Sequence, residues 1–593
     1  MNRRFGEATL LMLRALVIVL LMVGAQPATA EEYPTRITPH PDLGKFKPPR
    51  DPDRPITAFY GGIGLRDLGG GQWTGYGITD RADVDRLIQR CREFGMNRIY
   101  ASLLEQWPPS RYLRQPAPGA KDLIPYAVEQ AHANGIQVYA DLPIFCNSEL
   151  DQPFWEQNPD LVTYSESGEK DPHMFSPAYP KVRAYKRAIL LEWLSRYPVD
   201  GVQLDFIRWP YYGNDSLHGY CAHGYDEPLL RELRRRHDLP DDFRPRPDDP
   251  RFVQIRSDYV ALFIRELRDA LRLNGIELPI GVYNSNTYGR VPSLHDVCQD
   301  WEYWENNRLV DEHHPMFVLD SITRLVRATR SLMDVKRPGS IVFGPIFLAE
   351  GFRPSDGFAP TADMCRDAAR RLIKLGCDGI WFCRAGEIEE FKLWPVVREI
   401  SRLSLRDIRA QDFDPLYENL VPNGGFEAGM ESWQADPDDG ARIVDEQPAC
   451  GKSCLRLTLQ PQHAVRVSLR SPIRFSPHVA YAVRSLGLAF RYRAVDFKAD
   501  TPVQVTLRLR LTNDTVEEKV FAPASENGQW RLTKSEFRVA RDAKKVVKAV
   551  ELEIRVPPGS GTVWLDEFEM IFDPLDNLPA ETSQEVRGLH ENK

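Results

Sequence analysis

Between Ile56 and about Leu403 the chain repeats one pattern: a stretch of helical period, a glycine, then a short apolar run. Residues Arg81–Phe94 put Val84, Leu87, Ile88, Cys91 and Phe94 on one helix face, stop at Gly95, and lead into strand Arg98–Leu103. The same pattern gives helix Leu123–Ala133 before strand Ile136–Asp141 and helix Val182–Tyr197 before strand Asp200–Asp205. Helix Phe252–Leu273 then precedes strand Pro279–Asn284. Arg308–Asp311, Ser340–Pro345 and, after helix Ala362–Leu375, Asp378–Cys383 supply three more strands. With Ile56–Tyr60 as the first, there are eight. Strands alternating with helices imply parallel βαβ units. Eight of them predict an α/β fold of the (β/α)8 TIM barrel kind over residues 54–405, in preference to an open doubly wound sheet.

Beyond a linker at 406–417 the helical period gives way to alternation. Val503, Val505, Leu507, Leu509 and Leu511 share one face of a strand over Pro502–Thr512. Cys454–Leu459, Val465–Leu469, Val479–Tyr492, Val547–Val556 and Thr562–Phe572 read the same way. An antiparallel jelly-roll sandwich is therefore expected over 418–574, with a polar tail at 575–593.

Composition narrows the setting. Residues 1–30 carry Arg3 and Arg4, an apolar run Ala15–Ala25, and small residues Ala28 and Ala30 at a cleavage-like site. That is the form of a signal peptide, so a secreted or periplasmic chain is expected, free of the membrane once the signal is cleaved. Residues 31–53, rich in proline and charge, read as a linker. A net charge of −8 offers no basic footprint for nucleic acid. Nine cysteines in 593 residues are too sparse for a disulfide scaffold, although Cys450 and Cys454 are close enough in sequence to bridge. No CxxC pair, GxGxxG, Walker or G-x-S-x-G pattern occurs.

Barrel chemistry sits at the C-terminal ends of the strands. In Gly201–Asp205 the period of two turns Gln203 and Asp205 toward the lumen, and Arg208 and Trp209 follow. A carboxylate, a guanidinium and aromatic faces together suit a sugar site, because ring faces stack on pyranoses while polar groups bind hydroxyls. Glycosidic cleavage needs a second carboxyl group. The run Asp311-Glu312-His313-His314-Pro315, read as closing strand six, nominates Glu312 as general acid. Tyr60, Glu105, Asp141, Arg208, Trp209, Asn284, His314, Trp381 and Arg384 are the candidate substrate contacts, with Glu350 and Glu387 as further acidic groups at the mouth. Asp311, His313 and His314 also suggest a metal, but adjacent histidines on a strand face opposite ways, so no catalytic metal is assigned.

Pro180-Lys-Val-Arg183, the helix after it, and Asp200-Gly-Val-Gln-Leu-Asp-Phe-Ile-Arg-Trp-Pro210 resemble the signature of the glycosyl hydrolase-like 10 family. The resemblance covers roughly residues 55–400 and implies an exported barrel that hydrolyses O-glycosidic bonds of a polysaccharide or cell-wall glycan, with Asp205 as the nucleophile-type carboxylate. The family motif does not place the acid/base residue. Asn419–Trp433 and Gly561–Asp566 are similar to jelly-roll carbohydrate-binding modules, which implies a structural Ca2+ near Glu427 and Asp566. Trp433 and Trp564 are expected in the sandwich core. Three alternatives stay open: a sugar-binding barrel without catalysis, a metal-dependent polysaccharide hydrolase or deacetylase, and a surface scaffold whose barrel mouth is plugged by the insertions at 143–180 and 211–250.

Overall fold

The computed structural model describes residues 32–572 apart from 49–50, 64–79, 103–109, 115–121, 211–220, 286–289, 318–321, 347–361, 383–387, 389–390, 414, 416–418, 438–439, 447, 450, 475–484, 512–513, 524–527 and 539–546. The chain forms two compact units that divide between residues 416 and 417.

In the first unit the strands are β1 (Ile56–Ile63), β2 (Arg98–Ser102), β3 (Gln137–Pro143), β4 (Val162–Tyr164), β5 (Lys170–Phe175), β6 (Gly201–Asp205), β7 (Ile280–Asn284), β8 (Glu312–Pro315), β9 (Ile341–Ile346) and β10 (Gly379–Phe382). All but β4 and β5 pair in parallel and in chain order, β10 returning to β1, so the sheet closes into an eight-stranded barrel. β4 and β5 form an antiparallel hairpin inserted after β3.

Local chemistry explains the units that the hydrophobic period picks out. Helix Arg81–Phe94 starts on a capping box in which Asp80 accepts from the Asp83 N–H and Asp83 answers back. It buries Val84, Leu87, Ile88, Cys91 and Phe94 and ends at Gly95, whose φ of 76° only glycine adopts without cost. Helix Pro180–Arg196 uses Pro180 in its first turn, where the missing N–H would have no helical partner.

The sixth barrel strand differs from expectation: it is Glu312–Pro315, not Arg308–Asp311. The apolar pair Leu309-Val310 closes off helix Trp301–Asn306, with the Leu309 N–H donating to Trp304 O at 2.9 Å and Arg308 at φ 51°. Asp311 lies below the strands, accepting from the Ile280 N–H at 2.9 Å and pairing with Arg268 and Arg337.

Residues 33–46 are no free linker. Tyr33 packs edge-on against Tyr185, the His40 and Gly44 N–H groups donate to Leu194 O and Val199 O, and Phe46 stacks on His132 at 4.0 Å. Part of the expected second linker is also ordered, as helix Leu405–Ala410, whose Arg409 donates to Cys377 O.

The second unit is a sandwich of antiparallel sheets. One orders Trp433–Asp436, Val465–Leu469, Val547–Val556, Gln504–Leu511 and Val516–Phe521, with Ile473–Arg474 joined at its side; the other orders Ala441–Val444, Cys454–Thr458, Ser560–Phe572, Ser485–Lys498 and Arg531–Arg538. Trp433 is buried against Phe426 and Phe568, as expected. Trp564 is not in the core. Val563 and Leu565 take the inward positions, so Trp564 lies half-buried on the outer face under Arg493, 4.9 Å from its ring. Among the described residues no helix is long and apolar enough to cross a membrane.

Gly201 leaves no room for a side chain, since a Cβ there would stand 2.3 Å from the Tyr139 ring. That ring is fully buried and tethered through its hydroxyl to Glu312. Gly201→Ala is expected to cost at least about 2 kcal/mol in urea unfolding; a loss under about 0.5 kcal/mol would show that the ring can yield.

Candidate active site

Alternate residues of the barrel strands face the lumen and meet across it. At the floor, Arg98, the first residue of β2, pairs with Glu312, the first of β8. The Tyr139 hydroxyl donates to the same carboxylate at 2.9 Å, and the Arg98 guanidinium lies 4.1 Å from the Tyr139 ring centroid. One level up, the Tyr100 hydroxyl and His314 Nε2 are 2.5 Å apart. His314 stacks on Phe343 at 4.2 Å, and Tyr283 stacks on Trp381 at 5.5 Å. Trp381 is fixed by donation from its Nε1 to Pro315 O. Asp141 stands near the end of β3 and Asp205 at the end of β6, with Gln203 in register with Asp141.

This placement sorts the sequence candidates. Asp205 closes its strand, buried, with its Oδ1 accepting from the Phe206 N–H at 2.7 Å and its carbonyl accepting from the Ile144 N–H. Phe206 takes a left-handed φ of 46°, and the Arg208 guanidinium lies 4.8 Å from its ring. Asp141, His314 and Trp381 share the lumen. Glu312 does not stand where the sequence reading put it. It opens β8 instead of closing it, and both its oxygens are engaged at the floor, one by Arg98 and one by Tyr139. Asn284 turns out of the lumen, its Nδ2 3.0 Å from His313 Nδ1, and His313 Nε2 is 2.9 Å from Glu305 on helix Trp301–Asn306. His313 and His314 thus face opposite ways. Trp209 is a packing residue, fully buried with its Nε1 donating to Arg256 O. The Tyr60 side chain and residues Glu105, Glu350, Arg384 and Glu387 lie outside the described residues.

Burial and charge set the protonation states. Burial first, and then the negative charge of Asp205, push the Asp141 carboxyl well above the usual carboxylate range; an interaction with Tyr283 offsets only part of this. Burial, the Arg98 charge and His313 hold His314 well below the ordinary imidazole value, so it is neutral. The lumen also contains an unsatisfied amide. Gln203 is fully buried, and neither its Oε1 nor its Nε2 has a partner among the described residues. Gly281 opposite makes this possible, because a Cβ there would lie 2.1 Å from Gln203 Oε1. Asp141 Oδ1 also has no partner among them. Buried donors and acceptors without partners among the described residues, beside a carboxyl whose pKa is raised, suit a hydroxyl-rich ligand.

In the sandwich, Glu427 Oε1 accepts from the Lys452 and Ser453 N–H groups, and Asp566 accepts from the Ala449 and Glu567 N–H groups. Among the described residues no group of three or more His, Cys, Asp or Glu side chains is arranged to hold a metal.

The model of the family described as "Glycosyl hydrolase-like 10" matches residues 87–332. No curated protein matches the chain. Among solved structures, the α-L-fucosidase isoenzyme 2 of Paenibacillus thiaminolyticus is 13% identical over 60% of this chain and 49% of its own, at a TM-score of 0.40. The β-galactosidase of Marinomonas ef1 is 11% identical over 60% of this chain and 61% of its own, also at 0.40. The CBM22-1 xylan-binding domain of Paenibacillus barcinonensis Xyn10C is 16% identical, covering 26% of this chain and 94% of its own, at 0.20.

Sequence reasoning missed Arg98, Tyr100, Tyr139 and Tyr283. A signal was present: each sits at an inward position of a strand whose other positions are apolar, as in Arg98-Ile-Tyr-Ala and Gly-Val-Tyr283.

Two stability measurements separate the carboxyl groups. Glu312→Gln leaves Arg98 buried without a counter-charge and is expected to cost about 3–5 kcal/mol; a neutral effect would refute the floor pairing. Asp141 has a folded pKa above its unfolded one, so its contribution is most favourable at low pH and declines as pH rises through the folded value. Asp141→Asn should therefore gain in melting temperature relative to wild type between pH 4 and pH 7, and a gap that is flat or reversed would contradict the raised pKa.

Proposed function

We propose that the chain is an exported glycoside hydrolase in which Asp205 and Asp141 form the working carboxyl pair. The observation that carries the reading is their placement near the C-terminal ends of adjacent strands of a closed barrel, where burial and the charge of Asp205 raise the Asp141 carboxyl well above the usual carboxylate range. Two carboxyl groups with separated pKa values are what acid-assisted cleavage of a glycosidic bond requires. Asp141 would donate a proton to the leaving oxygen, and Asp205, anchored by the Phe206 N–H, would act as nucleophile or base. Gln203 and Tyr283 offer hydrogen bonds to sugar hydroxyls, and Trp381 with Tyr283 forms an aromatic floor. The match of the family model over residues 87–332 supports the same class. The substrate is a polysaccharide or cell-wall glycan, and export follows from the apolar run behind Arg3 and Arg4.

The test uses residues 31–593 against plant, algal and bacterial glycans, with released reducing ends quantified and a chelator arm included. Asp205→Asn and Asp141→Asn are each expected to lower kcat/KM at least roughly a hundredfold with the circular dichroism spectrum retained. Wild-type rates should fall on the alkaline side as Asp141 loses its proton, and that limb should vanish in the Asn variant. Turnover that survives both substitutions, or that a chelator abolishes, would reject the pair. Binding without any release would identify a sugar-binding barrel.

A further inference from the structure

Two buried cysteines that take no part in the proposed chemistry lie side by side beyond the strand ends. Cys221 follows the β6 strand end and Cys298 the β7 strand end. The segments around them are stitched together, the Cys221 N–H donating to His295 O at 2.8 Å and the Trp209 N–H to Val297 O at 3.1 Å. Both residues are essentially inaccessible; the Cys221 thiol donates to Pro210 O at 3.9 Å and to His223 O at 3.7 Å, and Cys298 lies within reach of its sulfur. Cys298 sits at φ 59°, a left-handed conformation that a non-glycine residue adopts only when its surroundings impose it.

Arg256 supplies the rest. It is fully buried, and among the described residues its hydrogen bonds go to carbonyl oxygens alone, those of Cys221, His223 and Pro247. A buried guanidinium with only neutral acceptors favours an anion nearby. Burial alone would raise the Cys221 thiol, but the Cys298 hydrogen bond, the Arg256 charge and the His223 backbone outweigh it and bring it down to about 7.

We infer that Cys221 and Cys298 are a disulfide-forming pair that staples the segment after β6 to the segment after β7 when the chain folds in an oxidising compartment. The Cys221 thiolate attacks one sulfur of a small external disulfide and expels one thiolate. Cys298 then gives up its proton and attacks the Cys221 sulfur of the mixed disulfide, expelling the second. The chain loses two protons and two electrons, and the external disulfide becomes two thiols. Because the sulfurs are buried in the finished fold, the exchange belongs to folding. The staple closes a long loop of chain next to Asp205, where loop-closure entropy is large.

The test refolds residues 31–593 from denaturant in oxidised and reduced glutathione, blocks free thiols under denaturing conditions, and maps peptides without reduction. The expected product is one cross-linked peptide pair carrying Cys221 and Cys298, two hydrogens lighter than its parts and abolished by reductant. The oxidised protein should melt several degrees above the reduced one, and this gap should disappear in Cys221→Ser. Both cysteines recovered as blocked thiols after oxidative refolding, or Cys221 joined to another cysteine, would overturn the assignment. The peptide map reads wild-type protein, so it decides the matter even where the serine variant folds poorly, and it is independent of any glycan activity.

Discussion

The ion pair between Arg98 and Glu312 is the constraint on which the barrel interior rests. Two charges removed from water cost several kcal/mol each unless every lone pair and proton is met. Here four strands contribute: Arg98 from β2, Tyr139 from β3, Glu312 from β8 and the Phe343 ring from β9 beside the guanidinium, with the Arg98 Nε alone left without a hydrogen-bond partner among the described residues of the group. Burial and then the charge of the held Arg98 push His314 well below the ordinary imidazole value, and that ring pairs with Tyr100 and stacks on Phe343. The lumen is thus polar from its floor, and the carboxyl groups near the top are the continuation of a polar column.

That polarity explains what sequence could and could not reveal. The helices were legible because each has one apolar face and a chemical stop, as with Asp80, the Val84–Phe94 face and Gly95. The strand containing Asp205 was legible because Val202 and Leu204 alternate with Gln203 and Asp205. Strand β8 was not, because a search for apolar runs settles on Leu309-Val310, while the true strand, Glu-His-His-Pro, is polar on both faces: Glu312 and His314 meet the lumen column, and His313 meets Glu305. The error in Glu312 followed directly. A residue assigned to the wrong end of a strand is assigned to the wrong end of the barrel. Trp564 failed for a related reason, since bulk and aromaticity do not say which parity of a strand faces the core.

The proposed site differs from the sequence expectation in one respect that matters chemically. The second carboxyl group was sought on a distant strand, but the structure couples Asp205 to Asp141 on the adjacent one. Neighbouring strands bring the two carboxyl groups close enough for the Asp205 charge to raise the Asp141 carboxyl. Gly281 adds the necessary vacancy, since any side chain there would close the space that Gln203 occupies.

The floor pair also bears on how such a barrel can be divided. Its members come from opposite halves of the strand sequence, one from the second strand and one from the sixth. A fragment ending after β6 would carry Arg98 with no anion, and its complement would carry Glu312 with no cation. Each half would have to solvate its own charge, so neither half is autonomous. The molecule joins its halves through electrostatics at the centre as well as through the ring of strands, which makes it a poor candidate for assembly from duplicated or exchanged half-barrels.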